Sequence, residues 1–194
     1  MSKTATSNPP NDLILKRFRF SREDYHLLEK VGLLTEDSPV ELINGEIIEM
    51  SPINSLHAGT VKRLLRFLSN SLADQYLIGA QDPIDLGEYS EPEPDLSILK
   101  YREDTYIDSH PKATDILLLI EVADSSLEKD RTVKLPLYAK ADIPETWIVN
   151  LQDAKIEVYQ NPGKEKYQEV QIFQSGDTIS HQLFGDLSVE AILK

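Results

Sequence analysis

The chain has no cysteine. Disulfides, thiolate metal sites and a cysteine nucleophile are therefore excluded, and any bound metal must rest on oxygen or imidazole ligands. No apolar run approaches the roughly 20 residues that cross a bilayer, so no contact with membrane is expected. Positive charge is also scarce: 20 Lys and Arg stand against 33 Asp and Glu, a net charge of -13. That balance speaks against a protein that coats nucleic acid, which needs clustered cations to neutralise phosphate. The first residues, Met1 to Asn11, are polar and lack the basic start and apolar stretch of a secretion signal, which points to a cytoplasmic protein with a frayed tail.

What is present suits one compact domain: 194 residues, 40% hydrophobic and 27% charged. Residues 1–17 are expected to be a tail and 18–194 a single domain. Ser21 offers a cap for a short helix over Tyr25 to Lys30, with Gly32 as its stop. Val40-Glu-Leu-Ile43, Asn44-Gly45 and Glu46-Ile-Ile-Glu-Met50 spell a hairpin around a type I′ turn. Regular pairing through that turn is expected to put Glu41 and Glu46 on opposite faces. Val61, Leu64, Leu65, Leu68 and Leu72 recur at helical spacing, so a long helix is expected from Asn54 to about Leu72. Leu77 to Leu86 and Asp95 to Leu99 read as strands. Asp115 to Val122 is nearly continuous in apolar residues, the mark of a central strand covered on both faces. A helix is expected within Lys129 to Ala141, starting or kinking near Pro136. Further strands are expected at Pro144 to Asn150, Lys155 to Gln160 and Tyr167 to Phe173, and only short strand-like pieces beyond Gly176. Helices interleaved with a buried strand and hairpins give an α/β fold around a mixed sheet.

In so acidic a chain, the informative carboxylates are those in places a carboxylate should avoid. Glu121 interrupts the end of the most apolar run, where ionisation is costly unless a cation or several donors meet it. Asp95 opens a strand directly after Pro94. Taken singly, Asp95 reads as a turn residue and Glu121 as the partner of a core Arg or Lys. Taken together, the start of one strand and the end of another converge if the strands are antiparallel neighbours. Two such carboxylates, without thiol or His pair, suit a hard cation such as Mg²⁺ or Mn²⁺. Trp147 reads as core, and Lys62, Arg63 and Arg66 as a solvated helix face.

Pro94-Asp95 followed by Glu121-Val-Ala123 resembles the PD-(D/E)xK nucleases. More closely, the chain resembles the Uma-type restriction endonuclease family. The likeness rests on Glu41-Leu-Ile-Asn-Gly-Glu46, Ser51-Pro52, His57, Pro94-Asp95 and a long ordered block. That block runs through Glu121-Val-Ala-Asp-Ser-Ser126, Asp130-Arg131, Lys134-Leu-Pro-Leu-Tyr-Ala139, Ile143-Pro-Glu145 and Trp147-Ile-Val-Asn150. The resemblance implies a restriction-endonuclease-like mixed sheet flanked by helices with additional hairpins. It also implies a metal held by Asp95, Glu121 and the Val122 carbonyl, with DNA as substrate. Ala123 stands where those nucleases usually carry Lys, so the resemblance turns to Lys134 for the ammonium; otherwise Lys134 is a surface partner of Asp130. His57 and Glu46 are carried over as supporting site residues, Glu46 in preference to Glu41, and Asp130 as the group that fixes Lys134.

The function expected is a Mg²⁺- or Mn²⁺-dependent DNA endonuclease, and because cutting two strands takes two sites, a homodimer is the assembly that would suit it. A non-catalytic interaction module on the same fold and a hydrolase of small phosphoesters are the alternatives that Ala123 and the acidic charge favour.

Overall fold

The computed structural model describes residues 17–35 and 37–194, so nearly all of the expected tail lies outside the described residues. Helix α1 (Arg22–Lys30) starts at a reciprocal cap: the Ser21 hydroxyl accepts from the Asp24 amide while Asp24 accepts from the Ser21 amide. Strands β1 (Val40–Ile43) and β2 (Glu46–Glu49) form the expected hairpin. Asn44 and Gly45 have φ of 52° and 81°, as a type I′ turn requires, and a Cβ on Gly45 would meet Arg19 Cβ at 2.7 Å.

Helix α2 (Ser55–Ser71) is capped by Asn54, whose side chain accepts from the His57 amide. It lays Val61, Leu64 and Leu68 on a six-stranded sheet. That sheet comprises β3 (Tyr76–Ala80), β4 (Leu96–Lys100), β5 (Ile116–Ala123), β6 (Glu145–Asn150), β7 (Lys155–Pro162) and β8 (Tyr167–Gln174), in that spatial order. The β5–β6 pair is parallel and all others are antiparallel, giving the mixed sheet that the sequence implied. The expected strand over Leu77 to Leu86 ends early, at Ala80: Gln81 takes φ of 58° and Pro83 cannot donate to a ladder.

A parallel pair needs a crossover. Here it consists of α3 (Leu127–Lys129), a π-helical turn over Asp130–Lys134, and α4 (Leu135–Lys140). Pro136 has no amide to offer the carbonyl four residues back, and its ring crowds that carbonyl. The widened π turn just ahead of Pro136 accommodates both effects, and α4 starts beside Pro136, at Leu135, as a continuation of that turn.

Side-chain alternation in β5 divides the core. Leu118, Ile120 and Val122 face α2, and Leu119 faces Tyr138 and Ala139 of α4. The C-terminal hairpin β9 (Thr178–His181) with β10 (Gly185–Ser188), followed by α5 (Val189–Leu193), closes the α2 side. Helix α5 was not expected. Arg63, rather than facing only solvent, donates from Nε to the Ile192 carbonyl at 2.8 Å and so ties α5 to α2. Trp147 is fully buried.

Candidate active site

Leu96 of β4 opposes Ile120 of β5, so continuing the register by one residue sets Asp95 against Glu121. The Asp95 carboxylate closes the end of the ladder: Oδ2 accepts from the Val122 amide at 2.8 Å and faces His57 Nε2 at 3.1 Å. Gln81 Nε2 approaches Oδ1 at 3.3 Å. His57 is placed by the first turn of α2, and its other ring nitrogen, Nδ1, is buried with no hydrogen-bond partner among the described residues. Its basicity is raised mainly by the bond to Asp95, against the lowering effect of burial.

By the same alternation, Glu121 points towards α4. Tyr138 donates to Glu121 Oε1 at 2.6 Å, and Lys134 Nζ lies 3.2 Å from the same oxygen. Burial pushes the Glu121 carboxyl up to about 8, with Asp130 and Asp95 adding repulsion and the Lys134 charge opposing. Burial alone would lower the basicity of Lys134. The carboxylates of Glu121, Glu41 and Asp130 outweigh it, and the group stays an ammonium. Lys134 also lies 3.1 Å from Glu41 Oε2 and donates to the Glu93 carbonyl at 3.0 Å.

The partner that sequence reasoning passed over is thus Glu41. It is fully buried, and it takes Lys129 at 3.0 Å on one oxygen and Lys134 on the other. Glu46, preferred from the sequence, is instead half-exposed at the turn with Arg17 at 2.8 Å. The expectation about faces fails by simple parity. Ile43 opposes Glu46, and Glu41 lies two residues from Ile43, so regular pairing puts Glu41 and Glu46 on the same face. They differ because Glu46 is at the tip and Glu41 is further in. A signal for Glu41 did exist: like Glu121, it interrupts an apolar run, Val40-Glu-Leu-Ile43. Asp130 is buried, but it accepts from the Ser126 hydroxyl at 2.6 Å, while the close carboxylate partners of Lys134 are Glu41 and Glu121.

These groups line a cleft of about 520 Å³ between the loop Met50 to Asn54, the start of α2, the ends of β4 and β5, and the turn from Asp124 to Lys134. Asn54 Nδ2 donates to Asp124 Oδ2 at 2.6 Å across its mouth. Among the described residues no three His, Asp or Glu side chains form a ready cage for an ion. Asp95 and Glu121 line the same cleft, and the Val122 carbonyl leaves β5 on the same edge as the amide bound by Asp95. Two carboxylates with a carbonyl fit Mg²⁺, which commonly keeps several waters.

Among solved structures, the chain is similar to "a putative nuclease belonging to DUF820 from Anabaena variabilis ATCC 29413", with a TM-score of 0.65 and 17% identity. The match covers 86% of this chain and 96% of that one, a likeness of fold. No curated protein matches. A family model described as "Uma2: Putative restriction endonuclease" matches residues 22–191, a span that holds every residue of the cleft. The chain therefore belongs to the Uma2 family of restriction-endonuclease-like proteins.

Proposed function

We propose that the protein is a nuclease that hydrolyses phosphodiester bonds of DNA with the help of Mg²⁺ or Mn²⁺. The observation that carries this reading is the meeting of Asp95, Glu121 and the Lys134 ammonium at one cleft, although Ala123 removes the lysine usual on the strand. Asp95, Glu121 and the Val122 carbonyl would hold the ion. When bound, it would supply Lewis-acid polarisation of the phosphodiester and make water easier to deprotonate. The chain's own groups supply position and charge. Tyr138 orients Glu121 through its hydroxyl, and His57 together with the Val122 amide fixes the rotamer of Asp95. Lys134, held by Glu41, presents a fixed positive charge towards the negative charge that develops on the phosphoryl group.

The test is cleavage of plasmid DNA by the purified protein in Mg²⁺ or Mn²⁺. Asp95→Ala and Glu121→Ala are each expected to abolish cutting, and undiminished cutting by both would sink the assignment. Whether the active species is a monomer or a pair of copies is read from sedimentation in the same buffer.

A further inference from the structure

The cleft has two unlike sides. Its floor carries the carboxylates and Lys134, whereas Pro39, Met50, Pro52 and Ile53, from the strand ends of the β1–β2 hairpin and the loop after it, form an apolar wall. Ile53 is 58% exposed and Pro39 and Pro52 are also open to solvent, so their apolar surface is accessible to a ligand in the cleft. The volume of about 520 Å³ falls within the roughly 300–1,000 Å³ of sites that enclose a small molecule. It suits one nucleotide and not a stretch of duplex.

The charges point the same way. Both lysines lining the cleft, Lys129 and Lys134, are paired with Glu41, so neither is free to grip a run of phosphates. Glu93 and Asp124 sit at the same cleft, and the whole chain is acidic. A duplex held through its backbone needs the opposite surface. A base swung out of its stack, by contrast, brings a flat apolar face that can rest on Pro, Met and Ile side chains while its phosphate reaches the floor.

We infer that the substrate is an unpaired nucleotide within DNA, in a single strand or a frayed end, whose base packs on the wall of Met50, Pro52 and Ile53 while the adjoining phosphate lies over the floor, where Asp95 and Glu121 would hold an ion to meet it. This rests on the nuclease reading of the floor and adds the substrate class. Recognition is through one base face and one or two phosphates.

The experiment is anisotropy of a fluorescein-labelled 12-nucleotide single strand and of the same sequence as a duplex, in Ca²⁺, with salt varied. The single strand is expected to bind about tenfold more tightly, as one packed base supplies. Its salt dependence should be shallow, with a slope of about -0.7 to -1.4 for one or two phosphates. Ile53→Ser and Met50→Gln are each expected to weaken single-strand binding several-fold without moving the thermal transition; Ile53, half out in solvent, is the safer of the two for folding. Equal or tighter duplex binding, or single-strand binding indifferent to both substitutions, overturns the inference. Hydrolysis of bis(4-nitrophenyl) phosphate by the wild-type protein in Mn²⁺ is read in parallel. Cleavage of the same single strand in Mn²⁺ is read alongside: absence of cutting of both substrates would defeat the nuclease reading, while the binding comparison still decides for or against the wall.

Discussion

Lys134 Nζ stands 3.2 Å from Glu121 Oε1 and 3.1 Å from Glu41 Oε2, joining the central sheet to a hairpin that is not part of it. Its side chain is only 5% exposed. Removing the charge while keeping the bulk, by Lys134→Met, is expected to lower kcat for DNA cleavage by about 10²–10³, the loss typical of one preorganised electrostatic group. Lys134→Arg is not expected to rescue it, because the planar guanidinium cannot occupy a slot shaped for a point charge among three oxygens. Steady-state kinetics on a labelled oligonucleotide decides both.

Glu41 carries the structural half of the same arrangement. With two ammonium groups on one fully buried carboxylate, Glu41→Ala takes a carboxylate partner from both Lys129 and Lys134, leaving Lys134 with Glu121 and the Glu93 carbonyl. Loss of one member of a buried pair costs about 3–5 kcal/mol. For a chain of this size a loss at the lower end lowers Tm by roughly 10 °C. Glu46→Ala, which removes only an exposed pair with Arg17, is expected to change Tm by less than about 2 °C. Differential scanning calorimetry of the two variants separates them, and equal shifts would refute the assignment of Glu41.

Metal affinity should rise with pH. The Glu121 carboxyl is pushed up to about 8 by burial, so at lower pH a proton occupies the group the ion requires. His57, raised by its bond to Asp95, acts in the same sense when it becomes an imidazolium. Isothermal titration with Mn²⁺ is expected to show affinity increasing from pH 6 to about 8 and levelling above. The linkage to folding has a matching sign. A carboxyl raised above its unfolded value, 4.5, stabilises most below that value and loses its contribution as pH climbs through about 8. The Tm gain on adding Mn²⁺ should therefore be larger at pH 8.5 than at pH 6. A gain that is flat with pH would count against Glu121 as a ligand.

At the acid end a different group contributes, alongside other carboxylates held low such as Glu157 and Asp85. Glu145 loses part of its acidity to burial, but bonds from His181, Gln160 and Trp147 to its carboxylate more than offset this and hold it below its ordinary range. Depressed in the folded state, it contributes stability above the unfolded value of 4.5, and that contribution is lost as pH falls through its folded value. Glu145→Gln is expected to flatten the fall in urea midpoint between about pH 5 and pH 3 while leaving the metal titration unchanged.

Much of this was legible in the residues. Asn44-Gly45, the spacing of Val61, Leu64 and Leu68, and the run Ile116 to Ala123 each carry a local period that tertiary context had no reason to override. That Asp95 and Glu121 could meet was readable from their places at strand ends on the condition that the two strands are antiparallel neighbours, which β4 and β5 are. What stayed hidden depended on geometry that no period encodes: the positive φ of Gln81 that stops β3, the five-residue α5, and the burial difference between Glu41 and Glu46 on one face. Tyr138 was visible in the block Leu135-Pro-Leu-Tyr-Ala139 but could not be assigned to Glu121 without knowing which way α4 faces.

The π turn over Asp130–Lys134 bears on how relatives are to be compared. Such a turn holds about one residue more than the α turn it replaces, so a relative with one residue fewer there would run as a plain α turn between the same flanks. Lys134 is the last residue of the widened turn, and its place beside Glu121 is reached through it. A one-residue gap in this segment of an alignment is therefore the mark of a changed turn and not of a lost site, and Asp130 and Lys134 are to be compared on their own sides of it.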